Sequence, residues 1–145
     1  MRFYYLGIFL LLFACSSGPQ RIEIEEEKDL IPEVIAFDPQ SGNIFLSSVH
    51  KKKIGIIDPR ASTFLDFISS GQYGYKRGVG MMVFDNKLFA LGSDAESGNG
   101  TSILLVLNLP EGNLLESYVL SDSSTHFLND LVIDRRGNIY LTVTQ

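Results

Sequence analysis

Short apolar runs and short polar turns alternate along this chain, and the alternation recurs. Three segments align: PEVIAFDPQSGNIFLSS from Pro32, VGMMVFDNKLFALGS from Val79 and LNDLVIDRRGNIYLTVT from Leu128. In each, an apolar run closes on an aspartate, Asp38, Asp85 or Asp134, and a turn leads into a second apolar run at 43–48, 87–92 or 138–143. The turns carry the Pro, Gly and Asn residues that tight antiparallel hairpins require. The aspartates stand 47 and 49 residues apart. Two further β-patterned runs follow each of the first two copies, at 53–58 and 62–68 and then at 101–109 and 114–120. No helical periodicity interrupts them.

Four short strands per unit at a fixed period predict an all-β fold. The architecture expected is a partial β-propeller of about two and a half four-stranded antiparallel blades over residues 32–145. An antiparallel sandwich of about ten strands would explain the strands but not the period. Closed propellers have about 4–8 blades, so the pattern predicts a truncated domain. Such a stack leaves apolar sheet faces uncovered and a free strand edge in GNIYLTVTQ.

The first residues change the picture in another way. After Arg2 comes an apolar run over residues 3–14, shorter than the ~20 residues a membrane-spanning helix needs and suited to a signal-peptide core. It ends at Cys15, followed by the polar stretch SSGPQ. This resembles a bacterial lipobox, which implies a lipoprotein signal peptide over 1–14, lipidation of Cys15 and a tether over 15–31. The implied location is the bacterial cell envelope, lipid-anchored to a membrane surface, at the outer membrane or facing the periplasm. Cys15 is the one cysteine, so no intrachain disulfide can form. The net charge of −5 offers no basic surface for nucleic acid. His50 and the lysines that follow it read as a solvated basic hairpin tip.

The segments PEVIAFDPQSGNIFLSSVHKKKI and FLNDLVIDRRGNIYLTVT resemble the six-bladed propellers of the gluconolactonase, senescence-marker-protein and luciferin-regenerating-enzyme family. The Pro32-Glu33 pair, the Asn129-Asp130 pair and the Asp-x-x-Gly-Asn hairpin at Asp134 carry the resemblance. Val34 departs from it, since the family places glycine there. The resemblance implies a calcium-dependent lactonase-type hydrolase acting on a small lactone or sugar acid. Its metal ligands sit at the starts of the innermost strands, which points to Glu33 and Asn129.

The repeat meets this expectation from its own side. Five residues before each aspartate stand Glu33, Gly80 and Asn129. Two are oxygen donors suited to a hard cation such as calcium, and Gly80 offers none. His126 and Asp130 are candidates for the same mouth, His126 as a general base or as a plain loop residue. The family draws further ligands from later blades, so the site is expected to be incomplete and the chain inactive as given. A second reading is a non-catalytic surface propeller that binds a peptide or glycan.

Overall fold

The computed structural model describes residues 21–24, 27–94, 100–120 and 127–144. Ten strands carry the described residues: β1 (Pro32–Phe37), β2 (Ile44–Ser48), β3 (Ile54–Asp58), β4 (Thr63–Ile68), β5 (Arg77–Phe84), β6 (Lys87–Asp94), β7 (Thr101–Asn108), β8 (Leu114–Leu120), β9 (Phe127–Ile133) and β10 (Ile139–Thr144). They form two four-stranded sheets, in the orders β1-β2-β3-β4 and β5-β6-β7-β8, and a β9-β10 hairpin. Every pairing is antiparallel between sequence neighbours. The fold is all-β, and its strands fall where the apolar runs predict them. Residues 1–14, expected to form a signal peptide, and Cys15 lie outside the described residues, as does His126.

Burial explains why β6 and β7 read as nearly unbroken apolar runs. Successive side chains on a strand point to opposite faces, and both faces of β6 and β7 are covered. Leu88, Ala90, Leu105 and Leu107 pack toward the first sheet, against Phe45, Ile54 and Ile68. Phe89, Leu91, Leu104 and Val106 pack the other way, against Leu128, Leu131 and Ile133 of the hairpin. The outermost strand β8 is exposed along its whole length.

The order of faces is the same at both joints, and this re-registers the repeat. On β1, Ala36 looks toward the next sheet, while Ile35 and Phe37 are exposed on the far side. On β9, Leu131 and Ile133 look back toward the preceding sheet. Counted from Asp38 and Asp134, these two strands are in phase. On β5 it is Met81 and Val83 that look back and Met82 and Phe84 that look forward. The equivalent of Asp38 and Asp134 is therefore Phe84, one residue before Asp85. The cause is turn chemistry. Asp85 and Asn86 both take positive φ, 48° and 58°, forming the two-residue turn that fits a twisted hairpin. Pairing then runs on to Phe84 and Lys87. The turns after Phe37 and Ile133 are longer and release their strands earlier.

The segment before β1 docks onto the first sheet. Leu30 is buried, its carbonyl accepts the Ser48 hydroxyl, and the Val49 N–H donates to the Ile31 carbonyl. Glu27 pairs with Lys51 at 2.8 Å and Lys53 at 2.7 Å, and Lys53 also reaches Asp66 at 2.6 Å. Lys53 thus differs from the solvated basic tip expected of it, because two carboxylates compensate its burial.

Lys51, and then Lys53, hold the Glu27 carboxyl below its ordinary value. A depressed carboxylate contributes stability above its unfolded value and loses it as pH falls through the folded one. Acidification through that range is therefore expected to loosen the docked segment. Corrected for intrinsic exchange, the Val49 amide should exchange faster at acid pH while the Leu105 amide holds. Equal behaviour of the two amides would remove Glu27 as the clamp.

Candidate functional site

The first strand of each sheet and of the hairpin carries a β-bulge near its start. Pro32 pairs with Ser48 and Ile35 with Leu46, so Glu33 and Val34 together face Ser47. Gly78 pairs with Gly92 and Gly80 with Leu91, which leaves Val79 as the extra residue. Leu128 pairs with Val143 and Asp130 with Thr142, which leaves Asn129 as the extra residue. A bulge leaves a residue outside the ladder and re-aims its side chain, which is why bulges gather beside binding sites.

Glu33, Val79 and Asn129 are equivalent by position as well as by bulge, each lying five residues before the in-phase residue Phe84 or its aspartate counterpart. The sequence alignment puts Gly80 at the middle position. The strand faces put Val79 there, and Val79 packs against the apolar cluster between the second sheet and the hairpin. The middle bulge fills space and offers no ligand.

β1 contacts β5, and β5 contacts β9, so the three strand starts lie in succession with β5 between the other two. Glu33, Asn129 and Asp130 are exposed. Gly80 has its own function beside them. A Cβ there would stand 3.0 Å from the Asp130 Cα and 3.3 Å from its Oδ1, so the missing side chain lets β9 approach. Asp130 is held by its own hairpin: its N–H donates to Thr142 Oγ1 on β10 at 3.0 Å, and its Oδ1 accepts the Leu131 N–H at 2.8 Å.

Two of the three repeat aspartates, Asp38 and Asp134, lock hairpins. Burial alone would raise the Asp38 carboxyl, but donation from Ser41 Oγ at 2.6 Å and from the Gln40 and Ser41 N–H groups holds it below its ordinary value. Asp134 is lowered by the Asn138 side chain and then by the Asn138 and Arg136 N–H groups. Both are short polar side chains that close a turn on their own backbone. Asp85 instead sits exposed within its turn.

Glu33, Asn129 and Asp130 present carboxylate and amide oxygens of the kind calcium takes. Calcium fills a shell of about 6–8 oxygens, more than these three side chains can supply. Among the described residues no group of three or more His, Cys, Asp or Glu gathers to hold a metal. Likewise, no described helix is long and apolar enough to cross a membrane.

No protein-family description and no curated protein matches the chain. Solved structures do. The major allergen Mala s 1 of Malassezia sympodialis matches with a TM-score of 0.65 at 21% identity, over 79% of this chain and 43% of that protein. A Thermus thermophilus protein described as an oxidoreductase (glucose dehydrogenase) matches with a TM-score of 0.47 at 18% identity, over 76% of this chain and 37% of that protein. The likeness to Mala s 1 is one of fold, and the chain spans less than half the length of either structure.

Proposed function

We propose that the two sheets and the hairpin are successive blades of a β-propeller, and that the bulges opening β1, β5 and β9 line the mouth of its channel. The mouth holds a divalent cation, calcium by preference, and takes a small lactone or sugar acid as in lactonase-type hydrolases. The observation that carries this reading is the bulge repeated at one equivalent place on all three innermost strands, with oxygen donors at two of them. The shared order of faces at both joints supports the blade arrangement.

Glu33 and Asn129 are the proposed ligands, and Asp130 lies beside them. A bound cation would polarise the substrate carbonyl. These side chains supply only part of a calcium shell of about 6–8 oxygens, so binding through them alone is weak, on the order of millimolar. Lipidation at Cys15 and a place on the bacterial cell envelope belong to the same proposal and rest on the N-terminal sequence.

Calcium titration followed by NMR on this chain tests the site. Shifts are expected at Glu33 and Asn129, with Glu33→Gln weakening binding by about tenfold, the size of one charge-assisted contact. Glu33 is exposed, so that variant keeps its fold. Identical titrations of the two proteins would sink the metal assignment.

A further inference from the structure

We propose that a second site, at the other end of the strands, binds a small organic anion with a flat apolar body. A cleft of about 610 Å³ opens between the β5–β6 turn and the β9–β10 turn, lined by Phe84, Asp85, Lys87, Phe89, Arg135 and Arg136. That volume falls in the range of about 300–1,000 Å³ typical of small-molecule sites. Half-buried Phe84 supplies apolar surface, and Phe89 lines the cleft while largely buried in the core. Lys87, Arg135 and Arg136 bring three cations to one place in a chain whose net charge is −5.

Among the described residues the nearby carboxylates leave the two arginine side chains without an ion pair, and Lys87 with a long one. Asp85 stands 3.9 Å from Lys87 Nζ with its side chain largely in solvent. Asp134 is committed to its own turn, accepting the Arg136 N–H at 2.8 Å, the Asn138 N–H at 2.9 Å and the Asn138 side-chain amide at 2.8 Å. Among the described residues neither arginine side chain has a carboxylate partner. Guanidinium groups present planar forks that match carboxylate or phosphate oxygens two at a time. Two arginines lining one cleft with Phe84 therefore favour an anion joined to a ring over a bare ion.

The cleft lies where β5 and β9 end, whereas the bulges lie where they begin. At ~3.3 Å per residue the two sites are separated by roughly 15 Å along the strands. The inference therefore stands apart from the metal reading, and failure of one leaves the other intact.

Phenyl phosphate is the probe, titrated by NMR at low ionic strength beside inorganic phosphate, benzoate and benzyl alcohol. Phenyl phosphate is expected to shift the Lys87, Arg135 and Arg136 amides with a millimolar or lower Kd, and benzyl alcohol to shift nothing. Benzoate binding as well would make the anion a carboxylate or a phosphate without distinction, and its failure would select phosphate esters. The Arg135→Gln/Arg136→Gln double variant should weaken binding by about tenfold or more, while Glu33→Gln leaves it unchanged. Both arginines are exposed, and Lys87→Met supplies a second, independently folded test in the same direction. Equal affinity in the double variant, or equal affinity for phenyl phosphate and inorganic phosphate, would overturn the proposal.

Discussion

Leu105→Ala is expected to cost the chain about 2–5 kcal/mol, the usual range for emptying a buried leucine site. Leu105 is 0% exposed and sits mid-strand on β7, paired with Ala90 on one side and Ser117 on the other. Its side chain belongs to the cluster that joins the first and second sheets. Strands pinned by ladders on both sides cannot collapse into the space left behind, so the cavity term is retained in full. Single domains are stable by only about 5–15 kcal/mol, so this one truncation removes a large share. Urea denaturation at constant m-value measures it. Leu115→Ala on exposed β8 is the control, expected to stay within about 0.5 kcal/mol. Equal losses at the two positions would contradict the assignment of the core to the joint between sheets.

Gly78→Val is the second large effect, with a cost of about 3 kcal/mol or more. Overpacking by itself costs about 1–3 kcal/mol, and here it meets a rigid partner. A Cβ at Gly78 would lie 2.5 Å from the Tyr75 hydroxyl and 2.6 Å from the Ser47 Cβ. Tyr75 cannot give way freely, because it is fully buried and its hydroxyl donates to the Leu91 carbonyl at 3.3 Å. Burial also pushes its ionisation well above the ordinary range, so it stays a neutral donor at any working pH. Displacing it adds the loss of a buried hydrogen bond, about 1–3 kcal/mol. Gly42→Ala makes the comparison. Gly42 has φ 80° with nothing within 4 Å of its Cβ position, so only backbone strain of about 1–2 kcal/mol applies. A reversed ranking of the two variants would show that the sheets do not meet as closely as described.

Much of the strand pattern was legible in the sequence, because alternation and turn residues are local signals. The ten strands follow the apolar runs, and Pro39, Gly42, Gly137 and Asn138 mark turns that form. The phase of the middle unit was not legible. Asp85 looks like Asp38 and Asp134, yet the two-residue turn shifts it by one place, and only the opposing sheets reveal which face each residue takes. For the candidate site, Glu33 and Asn129 were found from spacing and from the family resemblance, and the bulges that single them out needed the pairing register. Val79 went unmarked because an apolar residue in an apolar run carries no local sign of a bulge. Lys53 reads as solvent-facing in the sequence, since its partners Glu27 and Asp66 lie 26 and 13 residues away. The Arg135, Arg136 and Lys87 cluster has no local signature for the same reason: two turns remote in sequence become neighbours only when the sheets stack.

The shared order of faces has a consequence for how copies of this chain can meet. Ile35 and Phe37 stay exposed on one outer surface, and Val132 and Tyr140 on the other. These are the two unlike faces that meet at every internal joint. A contact between copies that uses them is heterologous and directional, with no twofold axis relating the partners. Such growth has a head and a tail. Rotation from copy to copy decides its outcome, closing a ring where the turns sum to a full circle and extending a helical filament where they do not.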